Sequence, residues 1–153
     1  DSVVIPPTSI PASPDSDSFT FEAGFGLSGY QIPQSVTVGE PLNAQFWWTT
    51  AQDIDLELVQ FLHFFALDSD DVYVFDRVPF NRQFPTQDWA ANLNLYDNWQ
   101  LTLPAEMPAG RYRVQTGLYQ ISDTARIPVQ TASGDVVQDA SIVLGQIEVL
   151  ADE

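Results

Sequence analysis

Asp76-Arg77-Val78-Pro79, Phe84-Pro85-Thr86-Gln87-Asp88-Trp89, Leu101-Thr102-Leu103-Pro104, Met107-Pro108-Ala109-Gly110-Arg111-Tyr112 and Thr116-Gly117-Leu118-Tyr119 follow one another between residues 76 and 119. This stretch decides the fold. It reads as a long crossing loop, a strand, a tight corner and a second strand. Trp99, Leu101 and Leu103 share one face, and Pro104 ends that strand because it has no N–H to give a neighbour. Pro108-Ala109-Gly110 makes the turn. Tyr112, Val114, Thr116 and Leu118 then alternate with Arg111, Arg113 and Gln115, the period of a strand with one buried face. The corner is expected to join the two layers of a β-sandwich. It supplies architecture and no catalytic group.

Upstream, the same period continues. Leu42, Ala44, Phe46 and Trp48 share a face of a strand over 42–50. Residues 55–67 form a second long strand, Asp68-Ser69-Asp70-Asp71 turns it, and Val72-Tyr73-Val74-Phe75 returns as its hairpin partner. Phe19 to Ala23 is a first strand. Gly24, Gly26 and Gly29 suggest a bulge or a kinked edge strand; their spacing, with no helix following, does not fit a dinucleotide fingerprint. Residues 36–38 make a short strand and 142–150 the last one. No stretch sustains a helical period. The expected fold is all-β: an antiparallel sandwich of about seven to nine strands with a long crossing loop. It should occupy 19–153 as one domain. Residues 1–18, rich in Pro and Ser, should be a linker or an edge-pairing segment through Val4 and Ile5.

The chain has 153 residues, 21 acidic side chains, five arginines and no lysine, for a formal charge of −16. Such a field repels phosphate backbones and anionic lipid surfaces, so nucleic acid and direct membrane insertion are excluded as expectations. Cysteine is absent, which removes disulfides, thiolate metal sites and Cys nucleophiles together. No run approaches the roughly 20 apolar residues of a membrane helix. Asp1 reads as a mature or trimmed start, with any export signal or anchor expected ahead of it.

Two strands break the one-dry-face rule. Phe46-Trp47-Trp48, Phe61-Leu62 and Phe64-Phe65 place large apolar groups on both sides. Something should therefore cover an outer face near Trp47, Phe64 or Phe65. The 77–98 loop, with Phe80, Phe84, Trp89 and Leu95, is one candidate, and a partner chain is the other.

Leu103-Pro104-x-x-x-Pro108-x-Gly110-x-Tyr112 resembles the tyrosine corner of immunoglobulin-like and fibronectin-like sandwiches, whose Tyr hydroxyl bonds back across the bend. A longer ordered set is also present: Phe61-x-His63, Asp76-x-x-Pro79, Pro85-Thr86-x-x-Trp89, Asp97, the corner, Gly117-Leu118-Tyr119, Arg126 and Leu144-Gly145-x-Ile147-x-Val149. Over roughly 54–150 this resembles the soluble sandwich domain that follows the membrane-spanning part of bacterial glycosyltransferases of the dolichyl-phosphate-mannose type. The family tends to place a glycine before its Phe-Pro-Thr, where Asn81-Arg82-Gln83 stands here. A second departure is Asp123-Thr124-Ala125, where the family favours a Thr-Gly turn. The resemblance implies an exported accessory domain without the transferase chemistry.

Candidate residues follow from both readings. Tyr112, Gly110, Trp89, Asp76, Pro85 and Arg126 are expected to be structural, with Arg77 and Arg126 each pairing with an Asp. Trp47, Trp48, Phe64, Phe65, Val4 and Ile5 are the binding candidates. His63, the sole histidine, sits mid-strand among phenylalanines and is expected to be packed rather than catalytic. Asp76, Asp88 and Asp97 bracket the loop, but carboxylates in loops more often cap turns than hydrolyse glycosides. Asp68 and Asp70, with Asp53 or Asp55, leave calcium as a possible ligand, although the EF-hand spacing fails at Tyr73 and Pro79. No other cofactor is expected. The chain is thus expected to be a non-catalytic extracellular or cell-surface accessory module, contacting a protein partner or itself through a sheet edge or apolar face. The alternative is a carbohydrate-binding module using exposed Trp residues such as Trp47, Trp89 or Trp99.

Overall fold

A computed structural model describes residues 16–152. Among these residues ten strands form two five-stranded sheets. They are β1 (Phe19–Phe21), β2 (Phe25–Gln31), β3 (Ser35–Thr37), β4 (Pro41–Thr50), β5 (Leu58–Ala66), β6 (Val72–Arg77), β7 (Asn94–Thr102), β8 (Gly110–Gln120), β9 (Val129–Thr131) and β10 (Ile142–Leu150). The first sheet has the order β7-β4-β2-β1-β9 and the second β3-β10-β8-β5-β6. Pairing is antiparallel except for β3, which runs parallel to β10. No helix among the described residues is long and apolar enough to cross a membrane.

The corner does join the layers: β7 lies in the first sheet and β8 in the second. Tyr112, 2% exposed, donates its hydroxyl proton to the Pro108 carbonyl at 2.6 Å. Gly110 opens β8 at φ +151°, a conformation side chains disfavour. The glycine-rich run differs from an edge strand. It forms β2, held between β1 and β4, with a bulge between Leu27 and Gly29. β7 begins at Asn94, earlier than the sequence suggests, so Leu95 is a strand residue facing the core.

The interior lies between the sheets, where β4 contributes Leu42, Ala44, Phe46 and Trp48, and β8 contributes Tyr112, Val114 and Leu118. The 78–93 loop does not cover an outer face. It turns Phe80 and Trp89 inward, Trp89 standing 5.9 Å from both Trp48 and Phe25. Its motif residues do local work. Thr86 donates to the Leu56 carbonyl at 2.6 Å and accepts from Leu58 N–H at 3.0 Å, starting β5. Pro85 precedes that turn in an extended conformation, and the Trp89 indole donates to the Phe84 carbonyl at 2.9 Å.

Candidate functional site

Strand parity sorts the doubly apolar residues. Leu58, Leu62 and Phe64 of β5 face the core, so Val59, Phe61, His63 and Phe65 face outward. Phe64 packs edge-on to Phe75 and Tyr112, and Trp48 lies in the interior, so neither reaches a ligand. Phe65 is the half-buried one, on the outer face of the second sheet.

That face is built around Phe61 and Gly117, which stand opposite each other on β5 and β8. A β-carbon at Gly117 would lie 2.6 Å from Phe61 Cζ and 2.5 Å from the Ala140 carbonyl oxygen. Only glycine lets the ring lie across the strand there. Arg126 stacks on the ring, its Cζ 4.5 Å from the centroid, and donates to the Asp139 carbonyl at 2.9 Å. This corrects the expectation of an Arg126–Asp ion pair: the guanidinium is held by a ring and a backbone oxygen. Four residues along β5, Arg113 covers Phe65 at 4.8 Å, and its Nε donates to Gln115 Oε1 at 2.7 Å. Gln115 in turn donates to Ser141 Oγ at 2.7 Å.

His63 lies between these stacked pairs, its ring 4.4 Å from that of Phe61 and 6.0 Å from that of Phe65. Burial holds its pKa below the ordinary value; Arg126 lowers it further and Asp76 opposes them. Asp76, on the outer side of β6, accepts the Tyr119 hydroxyl at 3.1 Å. Burial and Asp76 both raise the Tyr119 pKa. Beyond this strip, β6 exposes Val72 and Val74, the latter 55% exposed, and β10 exposes Val143. The result is an apolar face that gathers arginines over aromatic rings, with Asp76 and, opposite Arg111, Glu148 among them.

Other candidates are placed apart. Trp47, Trp89 and Trp99 are all buried, Trp47 being 5% exposed and 5.0 Å from Tyr96, so none offers the open ring that a sugar platform needs. Asp68 and Asp70 are exposed at the β5–β6 turn, whereas Asp53 and Asp55 precede β5, at its other end. Asp53 caps the Ala91 N–H at 2.9 Å. Among the described residues no three His, Asp or Glu side chains gather as a metal site. Asp76 faces outward while Asp97 lies between the sheets, so these carboxylates do not converge on one cleft. Val4 and Ile5 lie outside the described residues. Arg113, Val74 and Tyr119 were not legible as site residues. Their proximity to Phe65, His63 and Asp76 depends on strand register, which the sequence pattern leaves open.

No family model matches the chain, and no curated protein matches it in sequence. The resemblance to the glycosyltransferase-associated domain therefore gains no support at the sequence level. Solved structures do match. The C-terminal domain of Wzt superposes with a TM-score of 0.53 at 15% identity, over 95% of this chain and 84% of that one. A Niemann-Pick type C2 protein from Japanese carpenter ant gives a TM-score of 0.53 at 11% identity, over 85% of this chain and 95% of the other. At such identities the likeness concerns the β-rich fold alone.

Proposed function

We propose that this chain is a non-catalytic, extracytoplasmic assembly module with an immunoglobulin-like sandwich, docking through the outer face of its second sheet. It would serve in a larger cell-surface or membrane-associated protein or filament, as accessory domains after a membrane glycosyltransferase do. The Tyr112 hydroxyl bond to Pro108 supports the immunoglobulin-like reading. One observation carries the docking role. Arg111, Arg113 and Arg126, three of five arginines, and the only histidine collect on one face beside exposed Val72, Val74 and Val143.

A second copy of the chain is the partner this favours, because its exposed Asp68-Ser69-Asp70-Asp71 turn complements those arginines. The contact is heterologous, this face to an acidic turn of the second copy, the type that builds fibres when it does not close. At physiological salt, charges more than ~8 Å apart are screened, so the overall repulsion weakens while contact pairs persist. Light scattering on a concentration series tests this. Mass should rise with concentration in the wild type and stay monomeric in Arg113→Glu. A wild type that remains monomeric throughout contradicts the proposal.

A further inference from the structure

The outer face of the first sheet is chemically the opposite of the docking face. Its rows follow from the register. Thr20, Gly26, Thr49 and Asn94 lie side by side across four strands, and Gln31, Gln45 and Asn98 across three. Asn43 and Gln100 form the next pair. On a chain of charge −16, these rows contain no charged side chain. None of the exposed large apolar residues belongs to β1, β2, β4 or β7 either. Between these rows lie the Trp47 and Tyr96 rings, 5.0 Å apart, with Trp47 buried; an ordinary solvated face of so acidic a chain would carry carboxylates.

The face is also concave at one end. An open groove of ≈ 370 Å³ runs over Gly24 and Gly26, with Thr20, Ser28 and Thr49 on its walls. The floor must be glycine at position 26, where a β-carbon would meet the Phe19 carbonyl oxygen at 2.9 Å. That volume falls within the usual range for small-ligand sites, roughly 300–1,000 Å³. Ser28 donates to the Trp47 carbonyl at 3.1 Å and keeps its acceptor lone pairs. Farther along, the Tyr96 hydroxyl donates to Gln45 Oε1 at 2.6 Å, and Asn98 Nδ2 donates to Asn43 Oδ1 at 3.2 Å. Each amide is oriented by a neighbour yet keeps hydrogen-bonding capacity to spare.

We infer that this groove and amide ladder bind a neutral saccharide. Hydroxyls and fixed amides match a polyol, which both donates and accepts at each position. The chain's field repels acidic glycans and leaves neutral ones unaffected. This reading rests on a different face and different residues from the docking proposal, so either can fail alone.

Affinity electrophoresis of the full chain tests it, in gels containing dissolved glucan, mannan, galactan or xylan, with alginate as the acidic comparison. Retardation is expected in at least one neutral gel. Affinity should change less than about twofold between ~50 and ~500 mM NaCl, because no ion pair is involved. Thr49→Arg, which fills the groove, should weaken it by about tenfold or more. Asn98→Ala, at an exposed position, should weaken it as well and carries the comparison if Thr49→Arg unfolds. No retardation in any neutral gel, retardation by alginate alone, salt-sensitive binding, or undiminished binding by the folded variants would each overturn the inference.

Discussion

Arg77, at the end of β6, and Asp97, in β7, form the one salt bridge among the described residues, and it spans the two sheets. Asp97, 2% exposed, also accepts the Phe80 N–H at 3.1 Å, and Arg77 lies 4.8 Å over the Trp99 ring. The pair therefore ties both sheet edges to the crossing loop. Removing one partner strands a buried charge, whereas replacing both with apolar groups leaves none. Asp97→Ala should cost about 3–5 kcal/mol in urea unfolding. Arg77→Met with Asp97→Leu should recover most of that loss. A double variant as unstable as the single one contradicts this.

Stability should rise on acidification from neutral pH. Burial pushes the Asp97 pKa above its ordinary value, outweighing Arg77 and the Phe80 N–H. A raised folded pKa contributes stability that is full below the unfolded value of 3.8 and lost as pH rises through the folded value. Discharging the −16 charge acts in the same direction. His63 opposes both: its pKa is lowered from 6.5, so its contribution is present above that value and lost as pH falls through the lowered one. Melting temperatures measured from about pH 8 to about pH 5 should climb, more steeply below pH 6.5 in His63→Gln. A uniform fall would refute the assignment.

Gly117→Ala should destabilise by about 1–3 kcal/mol, because the added methyl meets both the Phe61 ring and the Ala140 carbonyl. Phe61→Leu in the same chain should relieve the ring half of the clash. Chemical denaturation of the two singles and the double gives the coupling directly. Additive losses would mean that ring and glycine do not touch.

Phe80, Asn81 and Arg82 all take positive φ, at 59°, 52° and 69°. A left-handed conformation costs an ordinary side chain roughly 1–2 kcal/mol, partly offset in glycine by its freer unfolded chain. Arg82→Gly should therefore raise stability, by up to about 1 kcal/mol, with no change in spectra. A loss of 1 kcal/mol or more would mean that Arg82 holds the turn by its side chain.

Much of the scaffold was legible because its signals are local. The alternation from Tyr112 to Leu118 gave β8, and Pro104 with Gly110 gave the corner; Ile142–Leu150 needed no revision. The glycines at 24, 26 and 29 pointed to a bulge, which β2 has between Leu27 and Gly29, but that composition does not separate a central strand from an edge strand. Phe64 and Phe65 could not be assigned to a side from two adjacent apolar residues. Only register places Phe64 against Tyr112 and Phe65 under Arg113. The uncharged face of the first sheet was also invisible, since its Asn, Gln and Thr residues are scattered over four strands.

The docking proposal is tested most directly by amide hydrogen exchange at low and high protein concentration. If copies associate through the second sheet, the amides of Val72 and Val74 on edge strand β6, and of Phe65 and Arg113, should gain protection as concentration rises. The amides of Asn94–Thr102 on edge strand β7, in the first sheet, should be unchanged. Exchange in β6 that is the same at both concentrations would contradict the account.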